Sequence, residues 1–387
     1  MKPNPPVELT NEQRSYLGLA PVEESWELVS FEGMYLYYDK DTIRKKIVAT
    51  ENSYYEAELC EHTADNRTIL LPKTERGKPK KMNYTASLSF SPFGVYFYFG
   101  ANDVTIANYT TQTTFFHDAN AAGVDLKEWI NDWIGNSTPK DMEEIQAFRN
   151  AKRQHVKYRE GDFFAFRIGR REWGFGRIVL DIVSRHEALK RGKNHGLLNL
   201  MGKSLLIMLY RKRATSYADI DTDQLSQCAT LPVQAIMDNR FYYGEYPIIG
   251  HKPVSPEEWE PIISYGQSIN HEDKNTVYLQ YGLIYRETTV DRYDKYLICR
   301  NPDCPSGYDI NPYRMERIGF GIDNYDNIRE LIDKGPAALA APAGKRHDPD
   351  LRSPGNKAVK HEIFTHFGLD ASKSYAENLK ICSAADA

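Results

Sequence analysis

The first third of the chain alternates short apolar runs with polar turns. Runs such as GMYLYYD, KKIVAT, YYEAEL and GVYFYFG are rich in aromatic and β-branched residues, and glycine, asparagine or aspartate separates them. This composition and spacing are typical of short strands joined by tight turns. The pattern therefore predicts an antiparallel β meander within residues 1–136.

Two helical segments follow the predicted strands. The apolar residues of the first recur at helical spacing and form one stripe: Leu126, Trp129, Ile130, Trp133 and Ile134. We expect this stripe to cover the meander, because an amphipathic helix buries its apolar side. The second segment has Pro139 in its first turn, where proline is tolerated. It predicts a connecting helix within residues 137–155.

Strand-like patterns return in residues 156–300, in runs such as FFAFRI, RIVLDIVS, SLLIMLYRKR and TVYLQYGLIYRE. Residues 301–387 read as a helical extension that contains a Pro/Gly-rich loop at 335–355. Together these patterns predict an α+β protein, mainly antiparallel β, with two β-rich domains and flanking helices. We expect the central domain to be a small, strongly curved sheet or a barrel.

The stretch GRREWGFG places several glycines close together and raises the question of a phosphate-binding loop. A dinucleotide fingerprint needs a third glycine three positions after the second, at a junction from strand to helix. Val179 occupies that position, and the residues on both sides of the stretch are strand-like. The pattern therefore predicts the turn of a β-hairpin.

Composition limits the partners and the compartment. The net charge is −4 and no basic stripe stands out, which argues against a nucleic-acid partner. No apolar run reaches the roughly 20 residues that cross a bilayer, so no membrane partner is predicted. The five cysteines are irregularly spaced and no signal peptide is evident, so we expect a cytoplasmic protein. The oligomeric state stays open.

The polar residues form no complete catalytic or cofactor-binding motif. NHGLLNLMGKS has one residue too many for a P-loop, and no serine-nucleophile elbow occurs. Cys299 and Cys304 have the spacing of half a zinc site, with no second pair nearby in sequence. Glu160 and Asp162 could act in acid–base chemistry, but charges at a sheet edge are commoner. We therefore assign no catalytic residue, cofactor or metal ligand.

The segment YREGDFFAFRIGRREWGFGRIV resembles the opening of the immunity protein 26 family of bacterial polymorphic toxin systems. The matching positions are Gly161, Asp162, Phe164, Gly174, Gly176, Arg177 and Ile178. GEYPIIGHKPV and TVYLQYGLI extend the likeness to roughly residues 155–290. The resemblance implies a mostly β domain in a cytosolic protein that protects its producer by binding a toxin. The family also carries a phosphotriesterase label.

Three functions follow as alternatives. The first is a non-enzymatic immunity-like protein that binds and neutralises a cognate bacterial toxin. Aromatic and arginine side chains concentrate binding energy at protein interfaces. The predicted contact residues of this immunity-like protein are Arg170, Arg171, Glu172, Trp173, Glu245 and Tyr246. The second is a metal-dependent phosphoester (phosphotriester) hydrolase with ligands from distant His, Asp and Glu residues. The third is a stand-alone protein that binds a peptide or small ligand.

Overall fold

The computed structural model describes residues 5–31, 33–63, 69–70, 76, 80–81, 87–120, 123–193, 195–200, 202–300, 308–315, 322, 324–335 and 348–385. The chain divides into two compact units. The first comprises residues 1–155 with 243–245, and the second comprises 156–242 with 246–387. The four-part division expected from the sequence is finer than this and stays a prediction. Most of the expected loop at 335–355 lies outside the described residues.

A seven-stranded antiparallel sheet with strand order β1-β2-β3-β4-β7-β8-β9 forms the first unit. Its strands are β1 (Glu27–Phe31), β2 (Met34–Asp39), β3 (Thr42–Ala49), β4 (Tyr54–His62), β7 (Phe93–Phe99), β8 (Val104–Asn108) and β9 (Thr113–Asp118). Two short strands, β5 (Ile69–Leu70) and β6 (Lys80–Lys81), form a separate pair. Strands that lie side by side in the main sheet also follow one another along the chain, with the β5–β6 pair inserted between β4 and β7, as expected for a meander.

Within the described residues, three helices accompany this sheet: α1 (Asn11–Tyr16), α2 (Leu126–Gly135) and α3 (Pro139–Arg149). The apolar stripe of α2 lies against the sheet. Trp129 stacks on Phe97 at 5.6 Å between ring centroids, and Trp133 meets Phe116 edge-on at 5.0 Å. These large rings supply much of the apolar area that this unit buries.

A buried ionic cluster ties α1 to the sheet. The Glu56 carboxylate, on β4, accepts hydrogen bonds from Arg14 at 2.9 Å, Lys45 at 2.5 Å and Tyr54 at 2.5 Å. Lys45 also donates to the carbonyl of Ala20 at 2.5 Å. Glu56 and Lys45 are fully buried. Because an unpaired buried charge is very costly, each charge in this cluster depends on the others.

In the described part of the second unit, the strands form three antiparallel sheets. The five-stranded sheet has the order β13-β12-β11-β10-β14, and the three-stranded one β15-β16-β17. The strands are β10 (Asp162–Arg167), β11 (Trp173–Asp181), β12 (Ser204–Ala214), β13 (Gln234–Met237), β14 (Ile248–His251), β15 (Ile263–Gln267), β16 (Thr276–Tyr281), β17 (Ile284–Thr289), β18 (Ile298–Arg300) and β19 (Tyr308–Ile310). The last two form a separate ribbon.

The helices of the second unit lie between and after these strands. They are α4 (His186–Arg191), α5 (His195–Leu198), α6 (Thr222–Leu225), α7 (Asn239–Tyr242), α8 (Tyr325–Lys334), α9 (Lys357–His366) and α10 (Tyr375–Ala385), with 3-10 turns at Pro256–Trp259 and Pro354–Asn356. Two of them, α9 and α10, contribute Phe364 and Tyr375 to the same core as Tyr281 of β16.

The five-stranded sheet is buried on both faces. Successive residues of β10 alternate between two cores, with Phe163 in one and Phe164 in the other. Ile328 and Leu331 of α8 complete the second core. This two-sided burial explains why the strands read as nearly continuous apolar runs.

The predicted fold class is confirmed as α+β with mainly antiparallel sheets. The sequence predicts one of two forms for the central domain, a strongly curved sheet or a barrel, and the prediction of a barrel is wrong. Among the described residues the edge strands β13 and β14 are not bonded to each other, so the sheet stays open. Helices and loops cover its faces instead, which removes the need for closure. In the described part of the chain, no helix has the length and apolarity to cross a membrane.

Replacing Glu56 with glutamine should strongly destabilise the first unit. The substitution removes the carboxylate that pairs with both Arg14 and Lys45. Lys45 is left buried without this ion-pair partner, and Arg14 keeps the more distant Glu8 carboxylate at 3.7 Å. Breaking such a cluster costs about 3–5 kcal/mol. Urea denaturation followed by tryptophan fluorescence measures the loss. Glu51→Gln, at an exposed position, is the matched control and should change the free energy of unfolding by less than about 0.5 kcal/mol. Equal stability of the two variants would contradict this account.

A comparison of the wild type with Glu56→Gln also gives a pH test. Burial by itself raises the pKa of Glu56, but Lys45 and Arg14 outweigh burial and hold that pKa below its ordinary 4.5. A lowered folded-state pKa means that the stabilisation is present above 4.5 and is lost as the pH falls through the folded-state value. The stability gap between wild type and Glu56→Gln should therefore be constant near neutrality and shrink below pH 4.5. A gap that widens on acidification would refute the assignment.

Candidate functional site

The β10–β11 hairpin is built on close contact between aromatic rings and glycines. Phe164 pairs across the strands with Gly176, and Phe166 with Gly174. A Cβ atom on Gly176 would lie 2.4 Å from the Phe164 ring, and one on Gly174 would lie 2.6 Å from the Phe166 ring. Only glycine leaves room for these rings. The structure thus confirms that GRREWGFG is a hairpin turn with flanking strand.

Arg177 follows these glycines and is almost completely buried, with 1% of its side chain exposed. Its guanidinium donates to the Glu258 carboxylate and to the carbonyls of Lys252 and Pro253, and it lies 4.7 Å above the Phe163 ring. A planar fork of donors suits several acceptors at once. Arg177 therefore holds the loop after β14 against the middle of β11.

Gly161 and Asp162 shape the turn that enters β10. Gly161 has a φ of +88°, and a Cβ there would lie 2.2 Å from the carbonyl oxygen of Lys252. The Asp162 carboxylate accepts the backbone N–H of Arg159 at 2.8 Å and lies 2.7 Å from Nδ1 of His251. These contacts are structural. The residues that carry the family resemblance thus serve the fold.

The possible metal ligands that the structure describes are scattered. Among the described residues, no three or more His, Cys, Asp or Glu side chains gather in a way that could hold a metal ion. Cys304, half of the candidate Cys pair, lies outside the described residues. Asp162 and His251 form a pair that no third such side chain joins in the described part of the chain, so we derive no metal-dependent step.

The far end of the hairpin carries a clamped tryptophan. The Arg167 guanidinium lies 4.5 Å above the Trp173 ring, and Tyr217 packs edge-on against it at 4.6 Å. Arg167 also donates to the carbonyl of Arg170 at 2.7 Å, which closes the turn. These contacts fix the indole in one position at a half-exposed site.

A charge network surrounds this tip. The Glu172 carboxylate accepts from Arg213 of β12 and from Arg329 of α8, the latter at 3.0 Å. Arg213 also contacts Asp333 at 3.0 Å, and the two carboxylates raise the pKa of Arg213 above its ordinary value. Arg211 donates to the carbonyl of Ile332 at 3.1 Å, at the end of α8. Positive charge suits a helix C-terminus. The arginines are thereby held in fixed orientations.

The structure separates the six predicted contact residues into three places. Arg170, Arg171, Glu172 and Trp173 lie together at the tip, and Arg171 is exposed. Glu245 groups with the first unit and accepts the backbone N–H of Thr114 at 2.8 Å. Tyr246 is buried and stacks on Phe164 at 5.7 Å. Glu245 and Tyr246 are therefore placed for internal contacts, and their role at an interface stays a prediction.

Sequence reasoning missed three residues that complete the tip: Tyr217, Arg213 and Arg329. The run RKR at the end of β12 was a visible signal, because basic residues end an otherwise apolar strand. Arg329 gave no such signal, since it looks like any exposed residue of an amphipathic helix.

Residues 159–275 match the family model of immunity protein 26. The resemblance found in the sequence is confirmed for this segment, which we call the immunity segment. It runs from the turn before β10 to the end of the loop after β15, and it includes all six predicted contact residues. No curated protein matches the chain, and no solved structure does.

Replacing Gly176 of the immunity segment with alanine should destabilise the second unit by about 1–3 kcal/mol, because the new methyl group overlaps the Phe164 ring. Urea denaturation measures the cost. Combining it with Phe164→Leu should cost less than the two single substitutions added together, because the smaller side chain makes room. Gly355→Ala is the control, since nothing lies within 4 Å of its Cβ position. Strict additivity of Gly176→Ala and Phe164→Leu would disprove the contact.

Proposed function

We propose that this chain is an immunity protein that binds a toxin protein and neutralises it without turnover. The single observation that carries the proposal is the match of residues 159–275 to immunity protein 26. That match suggests an immunity protein of a toxin system. Binding as the mode of action is our extension, and it agrees with a segment whose matching residues build a scaffold. In this proposal the chain acts in the cytoplasm.

We further propose the tip of the β10–β11 hairpin as the contact surface. Trp and Arg are the residues that most often dominate binding energy at interfaces. Trp173 is fixed between Arg167 and Tyr217, and Arg213 is fixed by Glu172 and Asp333. A surface that is already ordered loses little side-chain entropy on binding. A stable complex buries about 800 Å² on each partner, so the tip would be the centre of a larger contact.

The tagged chain should recover a partner that carries a toxin domain from a lysate of its own organism. Mass spectrometry identifies that partner, and calorimetry on the two purified proteins measures affinity and stoichiometry. We expect a 1:1 complex in which the activity of the toxin is abolished. A purified toxin that binds the chain and keeps its full activity would contradict neutralisation.

Two substitutions test the surface in this complex. Trp173→Ala should weaken binding by about 30-fold, as for a central interface residue, and Arg171→Ala by about threefold to tenfold. Tyr242→Ala is the control, because Tyr242 is an exposed aromatic residue away from the tip. It follows β13, which pairs with the start of β12, whereas Arg213 lies at the end of β12. Arg171 is exposed, so its replacement tests the surface even if Trp173→Ala loosens the fold. Unchanged affinity in both would exclude the tip.

A further inference from the structure

Basic side chains concentrate around the hairpin tip, although the whole chain is acidic. Because Trp173 pairs with Ala214 and Gly174 with Arg213, the tip and the end of β12 lie side by side. Arg329 of α8 reaches the same place through Glu172. The basic patch, as we define it, contains Arg167, Arg170, Arg171, Arg211, Lys212, Arg213 and Arg329. Three acidic residues lie within it: Glu172, Asp326 and Asp333.

The patch therefore has an excess of positive charge, whereas the chain as a whole carries −4. Arg171, Lys212 and Arg213 are exposed. Opposite charge on a partner would be drawn to this surface, and complementary potentials set both the orientation and the rate of association. From the patch we propose that the partner surface that docks on the hairpin tip is a carboxylate-rich protein surface. This rests on the proposed function, since it names the chemistry of the toxin surface.

The geometry of the patch favours carboxylates on a protein over the phosphates of a nucleic acid. Glu172, Asp326 and Asp333 sit among the cations, where a continuous phosphate backbone would meet them and be repelled. A folded protein can place separate carboxylates opposite separate arginines and avoid these positions.

The surroundings of Trp173 also favour a protein partner over a nucleic acid. Nucleic-acid surfaces of this kind use aromatic rings on which bases stack. Here Arg167 lies over the Trp173 ring and Tyr217 packs against it. Arg167 therefore covers a face of the indole on which a base would stack, while the ring stays partly exposed and available to a protein partner. A guanidinium that is already oriented by one carboxylate keeps further N–H donors for a second.

Fluorescence anisotropy with two labelled probes of matched length tests the inference on the full chain. The probes are a peptide of ten glutamates and a single-stranded oligonucleotide of ten thymidines. We expect the peptide to bind at low ionic strength and to weaken as salt is raised, because the attraction is screened. The double variant Arg171→Glu with Lys212→Glu should weaken peptide binding at least about tenfold.

The control is Lys190→Glu with Arg191→Glu. It changes the net charge by the same amount at exposed positions of α4, which follows the opposite end of β11. Peptide affinity should stay within about twofold of wild type in this variant. Absence of peptide binding would overturn the inference, as would equal losses in the two double variants. Tighter, patch-dependent binding of the oligonucleotide would also overturn it, in favour of a nucleic acid.

The outcome is separable from that of the proposed function. If the chain binds and neutralises a toxin but the peptide result fails, the immunity role stands and the acidic docking surface is wrong. If the peptide binds at the patch but a purified toxin is not neutralised, the immunity role is wrong and the basic patch remains an acidic-protein site. Measuring the toxin complex with the same two double variants then shows whether the toxin uses the patch.

Discussion

The contact of two phenylalanine rings with two glycines on the facing strand is the constraint on which the second unit depends. Because Phe164 and Phe166 lie over Gly176 and Gly174, β10 and β11 can pair closely while both faces of their sheet are filled with apolar side chains. Arg177 then joins β11 to the loop after β14. A sheet buried on both sides is rigid, since core side chains pack at crystal-like density. Its turn can therefore hold side chains at a fixed place on the surface.

This arrangement separates the residues that carry the resemblance to the immunity protein 26 family from those proposed to act. The matching positions, such as Gly161 and Arg177, make backbone room or satisfy buried carbonyls. The proposed contact residues, such as Arg171 and Trp173, lie on the turn between the strands. Loops on a rigid scaffold commonly carry function. In this chain the turn and the neighbouring end of β12 carry excess positive charge.

The first unit contains a cluster of buried charges. Its sheet carries Lys45 and Glu56 facing the core, and Arg14 of α1 joins them there. Such a cluster is weak evidence for stability, because removing charges from water offsets most of their attraction. Its clear effect is on position, since the charges are satisfied only when α1 lies at one place on the sheet. The apolar stripe of α2, by contrast, holds through apolar packing together with a hydrogen bond from Nε1 of Trp133 to the carbonyl of Tyr16 at 2.9 Å.

The sequence by itself determined the local features of this protein. The strands of the meander, the stripe of Trp129 and Trp133, and the hairpin around Gly174 all follow from periodicity and short-range backbone geometry. Tertiary structure alone decided which distant residues meet. Glu172 and Arg329 contact each other across 157 positions, and the neighbours Glu245 and Tyr246 fall into different units. The open form of the central sheet was likewise settled by what covers it. Local pattern fixes how a segment folds, but partners far apart in the chain are chosen by the packing of whole elements, which no short window contains.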